Sequence, residues 1–204
     1  LYAKDLSCPE DWRDARMDDV VPSFLSYRGD NDFSKDMLSF ANVAAESLMV
    51  YVGQNNTCTP AHIDHYGAIG HNIMVSSEED SSSFWFIVGA KDMTKFEELL
   101  ESHQSTAQFE NCLAPMDFLC KAEFPIYVLD QRVGDLAIVP SLSYHQVVNL
   151  GKSSTKMAWN RLTISCLDFA INNILPRYKQ INNPEVYRIK SIIHRSLINW
   201  TKLL

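Results

Sequence analysis

Two imidazoles and one carboxylate stand in a pattern able to hold a metal ion. The first pair is His62-Ile63-Asp64; the third candidate, His145, closes the stretch Gly134-Asp135-Leu136-Ala137-Ile138-Val139-Pro140-Ser141-Leu142-Ser143-Tyr144-His145. In an extended strand residues i and i+2 point to the same face, so His62 and Asp64 can grip one ion together. A third ligand from a distant strand completes a two-histidine, one-carboxylate facial triad, which leaves three positions open on a non-haem iron and suits it to oxygen activation. The bare motif is weak: six histidines and 25 acidic residues in the chain make about 0.7 His-x-Asp/Glu occurrences expected by chance. Its setting strengthens it, because Thr57-Cys58-Thr59-Pro60-Ala61 leads into the pair after a strand and a turn. His145 in turn follows a Gly-Asp strand opening and a proline-containing bend, which places it at the rim of a second strand.

The elements that must position these groups can be read from texture. Leu48-Met49-Val50-Tyr51-Val52-Gly53 is a short apolar strand ending in glycine, and Asn55-Asn56-Thr57 is a turn. His71–Val75, Phe84–Val88, Ile126–Leu129, Leu136–Val139, His145–Val148 and Met157–Ile164 are further strand candidates. The polar run Ser76–Ser83, with Glu78-Glu79-Asp80 at its centre, reads as a solvated hairpin tip. Met93–His103 places Phe96, Leu99 and Leu100 on one face of an amphipathic helix, and two helical segments follow near Asp168–Leu175 and Pro184–Trp200. Residues 1–45 mix Asp/Arg-rich stretches with turn signals and read as short helices and connections. Many short strands with helices at both ends predict a mainly β fold, a barrel or sandwich wearing a helical coat. The expected organisation is a single domain over 1–204, with a helical or irregular flank (1–45), a β core (46–166) and C-terminal helices (167–204).

Composition bounds the function. A chain of 204 residues that is 46% hydrophobic suits one domain with a sizeable core. A net charge of -7 argues against broad non-specific attraction to nucleic acid and is compatible with a basic peptide substrate. Five scattered cysteines without a CxxC pair fit a reducing compartment better than a disulfide framework or a zinc finger. The longest apolar runs are far shorter than a membrane span. Opening on Leu1 rather than Met, the sequence is expected to be a piece of a longer protein. Ser141 and Ser143 beside His145 lack a nucleophile elbow and a matching acid, which disfavours a hydrolase. His65 and His71 are expected to be structural or surface groups, and Trp85 and Trp159 to belong to the core.

The ordered set of Tyr51-Val52-Gly53, His62-Ile63-Asp64, Asn72, Phe84-Trp85-Phe86-Ile87-Val88, and Gly134-Asp135 through Tyr144-His145-Gln146-Val147-Val148-Asn149 resembles the Jumonji C (JmjC) domain. The resemblance covers roughly residues 10–190, in texture closest to fungal chromatin-associated members. It implies a double-stranded β-helix (a cupin-like jelly roll) that holds Fe(II) and the co-substrate 2-oxoglutarate. Such enzymes oxidise 2-oxoglutarate to succinate and CO2 while hydroxylating a C–H bond. On an N-methyl-lysine the hydroxymethyl product collapses to formaldehyde and demethylated lysine. The resemblance makes His62, Asp64 and His145 the iron ligands. Asn72 matches an asparagine that hydrogen-bonds the 2-oxoglutarate carboxylate, and Thr59 stands where many members place a carboxylate-binding hydroxyl. Tyr51 matches a tyrosine lining the methyl-lysine pocket, and Asn149 resembles an asparagine near the metal, on the cofactor side. A histone lysine demethylase in the nucleus, with a histone tail as its protein partner, is the activity this resemblance implies.

The chain departs from the family in one place. Where the family usually carries a lysine just before the Phe84-Trp85-Phe86 strand, to pair with the far carboxylate of 2-oxoglutarate, this sequence has Ser83. A dianion buried without a cation would suffer a desolvation cost of several kcal/mol. Lys156, eleven residues after His145, offers a replacement: alternation puts it on the face of Ala158 and Asn160, opposite Met157 and Trp159. Two other readings stay open at this point. One is a fold that has lost turnover and serves as a chromatin-associated binding module; the other is a protein hydroxylase with a stable product.

Overall fold

The structure is a computed structural model and describes residues 1–14, 20–40, 48–103, 113–180, 182 and 188–202. Among the described residues, nine strands form two antiparallel sheets. They are β1 (Tyr2–Ser7), β2 (Leu48–Gln54), β3 (Thr57–His62), β4 (Ile69–Glu78), β5 (Ser82–Val88), β6 (Tyr127–Gln131), β7 (Leu136–Val139), β8 (Tyr144–Leu150) and β9 (Ser153–Arg161). The larger sheet has the order β1-β2-β9-β4-β7 and the smaller β3-β8-β5-β6. Neighbours in each sheet are mostly distant in sequence, the crossing pattern of a jelly roll rather than a meander. The expected β fold with helical additions is therefore the one observed.

Period-two alternation divides each central strand between two environments. On β9, Met157 and Trp159 point outward into a core with Leu48, Val50 and Ile73. That core is covered by the N-terminal segment through Cys8, Val21 and Tyr27, and Trp159 Nε1 donates to the Leu25 carbonyl at 2.9 Å. The opposite face of β9, carrying Lys156, Ala158 and Asn160, lines the space between the sheets. On β5, Trp85 packs inward with Ala137, Val139 and Val147. Phe86 and Val88 face the other way, onto helix α2 (Met93–His103) through Phe96 and Leu100. A fourth cluster gathers Tyr66 and Ala68 against the C-terminal helices α4 (Ile164–Phe169) and α6 (Ile189–Thr201). Short helices α1 (Glu10–Asp14), α3 (Met116–Leu119) and α5 (Leu175–Gln180) complete the coat.

Four expectations need correction. The N-terminal flank is not helical at its start: Tyr2–Ser7 is an edge strand paired with β2. The polar run Ser76–Ser83 is mostly strand, because β4 runs to Glu78 and β5 begins at Ser82, leaving a three-residue tip at 79–81. Buried Ser82 and Ser83 are paired with Leu150 and Asn149 of β8, so polarity there marks an inner polar wall rather than solvent. The last strand begins at Ser153, four residues earlier than its apolar texture suggests, and ends at Arg161. The first C-terminal helix also starts earlier, at Ile164, and passes through a π-helical turn at Ala170–Ile174. The expected Pro184–Trp200 helix is described only from Ile189; residues 183–187 lie outside the described residues.

Trp159 is 1% exposed and joins the outer core to the N-terminal segment. Replacing it with alanine removes a large buried ring and a hydrogen bond together, at an expected cost of about 3–5 kcal/mol. Denaturant unfolding of Trp159→Ala against the wild type measures that loss.

Candidate metal centre

β3 and β8 pair so that His62 and His145 are direct cross-strand partners, with ring centroids 4.2 Å apart. The register of β3 slips between Thr59 and His62, a span that contains Pro60. Such a bulge re-aims the residues after it, and proline is tolerated there because it has no ladder N–H to give. β3 ends at His62, yet Asp64 remains extended (φ -56°, ψ 144°), so the carboxylate stays on the face of His62. One ligand atom from each of His62, Asp64 and His145 can be chosen so that all three lie within 4.8 Å of one another. The three predicted ligands are thus brought together.

The nitrogens are prepared for coordination. His62 Nδ1 donates to the Pro60 carbonyl at 2.8 Å and His145 Nδ1 to the Ser143 carbonyl at 3.3 Å, which turns each Nε2 lone pair outward as a ligand. Burial, and then the neighbouring His62, push the His145 pKa down to about 4, so its imidazole is neutral at neutral pH. Trp85 stacks on the His145 ring at 5.9 Å and is itself held by Nε1 donating to Gln131 Oε1 at 2.9 Å. Asp64 is placed from the other sheet: Asn160 Nδ2 lies 3.5 Å from its Oδ1. On β4, a Cβ at Gly70 would sit 2.3 Å from Asp64 Oδ2. Glycine is needed there for space, not for backbone freedom. Two imidazoles and a carboxylate, beside an open cavity, are a donor set that fits Fe(II).

The triad forms one wall of a cavity that opens to solvent between the sheets. Lys156 stands on another wall, 2% exposed. Its Nζ donates to Ser83 Oγ at 2.7 Å and to Asn149 Oδ1 at 2.5 Å. No described carboxylate pairs with it, and burial alone pushes its pKa down to about 8. Asn149 is held in turn, accepting from Ser83 Oγ at 2.9 Å and donating through Nδ2 to Thr57 Oγ1 at 3.0 Å. Asn149 therefore braces Lys156 and is not itself among the residues that line the cavity. Thr59 and Asn72 do line it; Thr59 Oγ1 is 2.6 Å from the Tyr2 hydroxyl, and Asn72 Oδ1 accepts from Gln131 Nε2 at 3.2 Å. Tyr51 lines the cavity too, its hydroxyl donating to Asp5 Oδ1 at 2.8 Å. Burial and the Asp5 charge hold that phenol well above its ordinary pKa, so it stays protonated.

Tyr2, Gly70, Trp85 and Asn160 are cavity-lining groups to which the sequence reading gave no site role. For Asn160 a signal existed, since alternation already placed it on the face of Lys156. For Tyr2, in a polar hexapeptide, and for Gly70 the sequence carried none. His71 also lines the cavity: its Nδ1 donates to the Ile69 carbonyl at 3.0 Å, its ring stacks on Trp159 at 5.3 Å, and burial lowers its pKa to about 4. His65 Nδ1 bonds the Tyr178 hydroxyl at 3.2 Å.

Fold and site together define a jelly-roll protein with a facial triad able to hold a metal ion, the arrangement of the non-haem iron oxygenases. The family itself is given by comparison: a family model described as JmjC domain, hydroxylase, matches residues 49–160. The chain belongs to the JmjC domain family, whose members in general depend on Fe(II) and 2-oxoglutarate. It is also similar to C-module-binding factor A of Dictyostelium discoideum, 37% identical over 199 residues. That match covers 97% of this chain but 20% of the relative, so the chain spans about a fifth of that protein's length.

Two outcomes are expected from this geometry. Gly70→Ala should displace the Asp64 carboxylate and weaken divalent-metal binding by at least about tenfold, as losses around metal ligands do, read by calorimetric titration with Mn(II). His71 and His145 are buried neutral with folded pKa values of about 4, below the ordinary 6.5. Their contribution to stability is full above pH 6.5 and is lost as pH falls toward 4. The thermal midpoint of the metal-free chain should therefore drop across that interval, and drop less in His71→Gln.

Proposed function

We propose that this chain is an Fe(II)- and 2-oxoglutarate-dependent oxygenase acting on a protein, and that its reaction is demethylation of an N-methyl-lysine on a histone tail. The observation that carries the co-substrate assignment is the buried Lys156 ammonium, which has no described counter-ion and shares a cavity with the metal triad. An isolated buried charge costs several kcal/mol, which an anionic ligand would offset. A dicarboxylate with one end on the metal and the other on Lys156 satisfies both walls. Ser83, at the place where the family's lysine is expected, is the hydroxyl that Lys156 reaches from the neighbouring sheet. The cation is thus supplied by β9 in place of β5.

Bound together, iron and 2-oxoglutarate would supply the oxidation of a substrate C–H to C–OH by O2, one oxygen atom entering the substrate and the other the succinate formed as CO2 leaves. The chain's own residues bind and orient. His62, Asp64 and His145 would hold the metal through two imidazole nitrogens and one carboxylate. Lys156 donates to the far carboxylate, with the Tyr2 and Thr59 hydroxyls beside it on the cavity wall. Asn72 offers its amide to the co-substrate end nearer the metal. Tyr51, kept protonated and tied to Asp5, presents a ring and an acidic neighbour to a cationic side chain. The nuclear location and the histone partner follow from this reading.

A second reading has one observation in its favour. The relative is called a binding factor, which suits a domain that engages another molecule without turnover. Incubating the chain with Fe(II), 2-oxoglutarate and a library of methyl-lysine histone peptides separates the two. The oxygenase reading predicts succinate formation and formaldehyde release, both lost in His62→Ala. Succinate without formaldehyde points to a stable hydroxylated product; neither product leaves the binding module.

Lys156→Met should weaken 2-oxoglutarate binding by about thirtyfold or more, the loss expected when one partner of a buried charged hydrogen bond is removed. In the wild type only the protonated amine attracts the dianion. Affinity should hold below pH 8 and fall as pH rises through the free-protein value of about 8. Calorimetry across pH 6.5–9.5 checks both; an unchanged affinity in Lys156→Met contradicts the assignment.

A further inference from the structure

The sheet fixes His62 against His145, but it does not fix Asp64, which lies beyond the end of β3. The turns that carry Asp64 and His145 are both unusual, and they touch. After Asp64 the chain makes a single tight turn, His65–Gly67, with Tyr66 at φ 60°, ψ 21° and Gly67 at φ 64°. Its closing bond is the Gly67 N–H donating to the Asp64 carbonyl at 3.0 Å. Before His145 lies the Pro140–Ser143 turn, closed by the Ser143 N–H donating to the Pro140 carbonyl at 3.2 Å, with Leu142 at φ 62°. Its last carbonyl, that of Ser143, is the acceptor that orients the His145 ring. Left-handed backbone is costly for tyrosine and leucine and persists only where the surroundings over-determine it.

Those surroundings are each other. Ser141 Oγ donates to the Gly67 carbonyl at 2.5 Å. Leu142 Cδ2 occupies the space a Gly67 side chain would need, 2.5 Å from where its Cβ would stand. Both turns rest on α4: the Tyr66 side chain is fully buried against Leu162, Cys166 and Leu167, and Cys166 Sγ donates to Ser141 Oγ at 3.7 Å. A shift of either turn relative to the other changes the separation of the Asp64 carboxylate from the His145 imidazole.

We propose that the Ser141–Gly67 latch, seated on α4, sets the spacing of Asp64 and His145 and so tunes the affinity of the metal centre, making the C-terminal helices part of that centre. Ser141, Leu142 and Tyr66 are positioning residues, acting through the ligands. The proposal rests on the metal-centre reading and is tested with Co(II), whose visible absorption reports ligand geometry. Ser141→Ala should bind Co(II) about ten- to a hundredfold more weakly and with an altered spectrum, while the thermal midpoint of the metal-free chain stays near wild type. Ser141→Thr, which keeps the hydroxyl, should recover most of the affinity. Leu142→Gly relieves the left-handed backbone but empties the seat under Gly67, so metal-free stability should hold while Co(II) affinity falls; this variant decides the matter should Ser141→Ala not fold. Wild-type affinity and spectrum in both Ser141→Ala and Leu142→Gly overturn the proposal, as does a loss of affinity that only tracks a loss of metal-free stability. A wild-type chain that binds no Co(II) overturns the metal centre itself, a result distinct from failure of the latch.

Discussion

A buried ammonium with no described carboxylate is the constraint on which the interior depends. Lys156 stands in the middle of the larger sheet, its strand flanked by β2 and β4, and its side chain crosses to the smaller sheet to reach Ser83 and Asn149. Placing a charge there requires polar groups where a sandwich would otherwise be apolar. Asn149 and Ser83 are both 1% exposed or less; with Thr57 they form a closed hydrogen-bonded set around it. Even Gly53 belongs to this arrangement, because a Cβ there would come within 2.4 Å of Asn149 Nδ2. Buried polar networks of this kind are stable only when every member is satisfied. The remaining deficit is the positive charge itself, and it lies in the cavity that the metal ligands also line.

The opposite wall repeats the logic with the opposite charge. Two imidazoles and a carboxylate converge where cross-strand register brings His62 to His145, and the larger sheet yields space at Gly70 for Asp64. Each sheet thus contributes to both ends of the cavity: β9 supplies Lys156 and Asn160, while β3 and β8 supply Thr59 and the two histidines. The outer layers tie into this geometry from behind. Trp159 on the outer face of β9 ties the N-terminal segment to the strand bearing Lys156. Tyr144, beside His145, donates to Glu97 of α2 at 2.9 Å, and Arg177 of α5 approaches the same carboxylate at 3.4 Å.

Much of this was legible in the sequence, for definable reasons. The i, i+2 spacing of His62 and Asp64 survives folding because Asp64 stays extended past the end of its strand. Alternation placed Lys156 with Ala158 and Asn160, and only the identity of the inward face was missing. Met157 and Trp159 settle it by burying outward under the N-terminal segment. Sequence texture overstates the hairpin tip near Glu79 because buried serines look like loop residues when pairing and interior hydrogen bonds are invisible. β1 was missed because Tyr2–Ser7 is polar and short, and it is held by the edge of β2 rather than by its own apolar face. Tyr2, Gly70 and the turn contacts around Ser141 are products of tertiary geometry. No local spacing encodes a carboxylate's need for an absent Cβ.

The most direct test of the account is a crystal structure of the chain grown with Mn(II) and 2-oxoglutarate. The account predicts the metal on His62, Asp64 and His145, with the far carboxylate of the co-substrate accepting a hydrogen bond from Lys156 Nζ. A metal bound elsewhere, or a co-substrate carboxylate lying away from Lys156 while that lysine remains on Ser83 and Asn149, would contradict it.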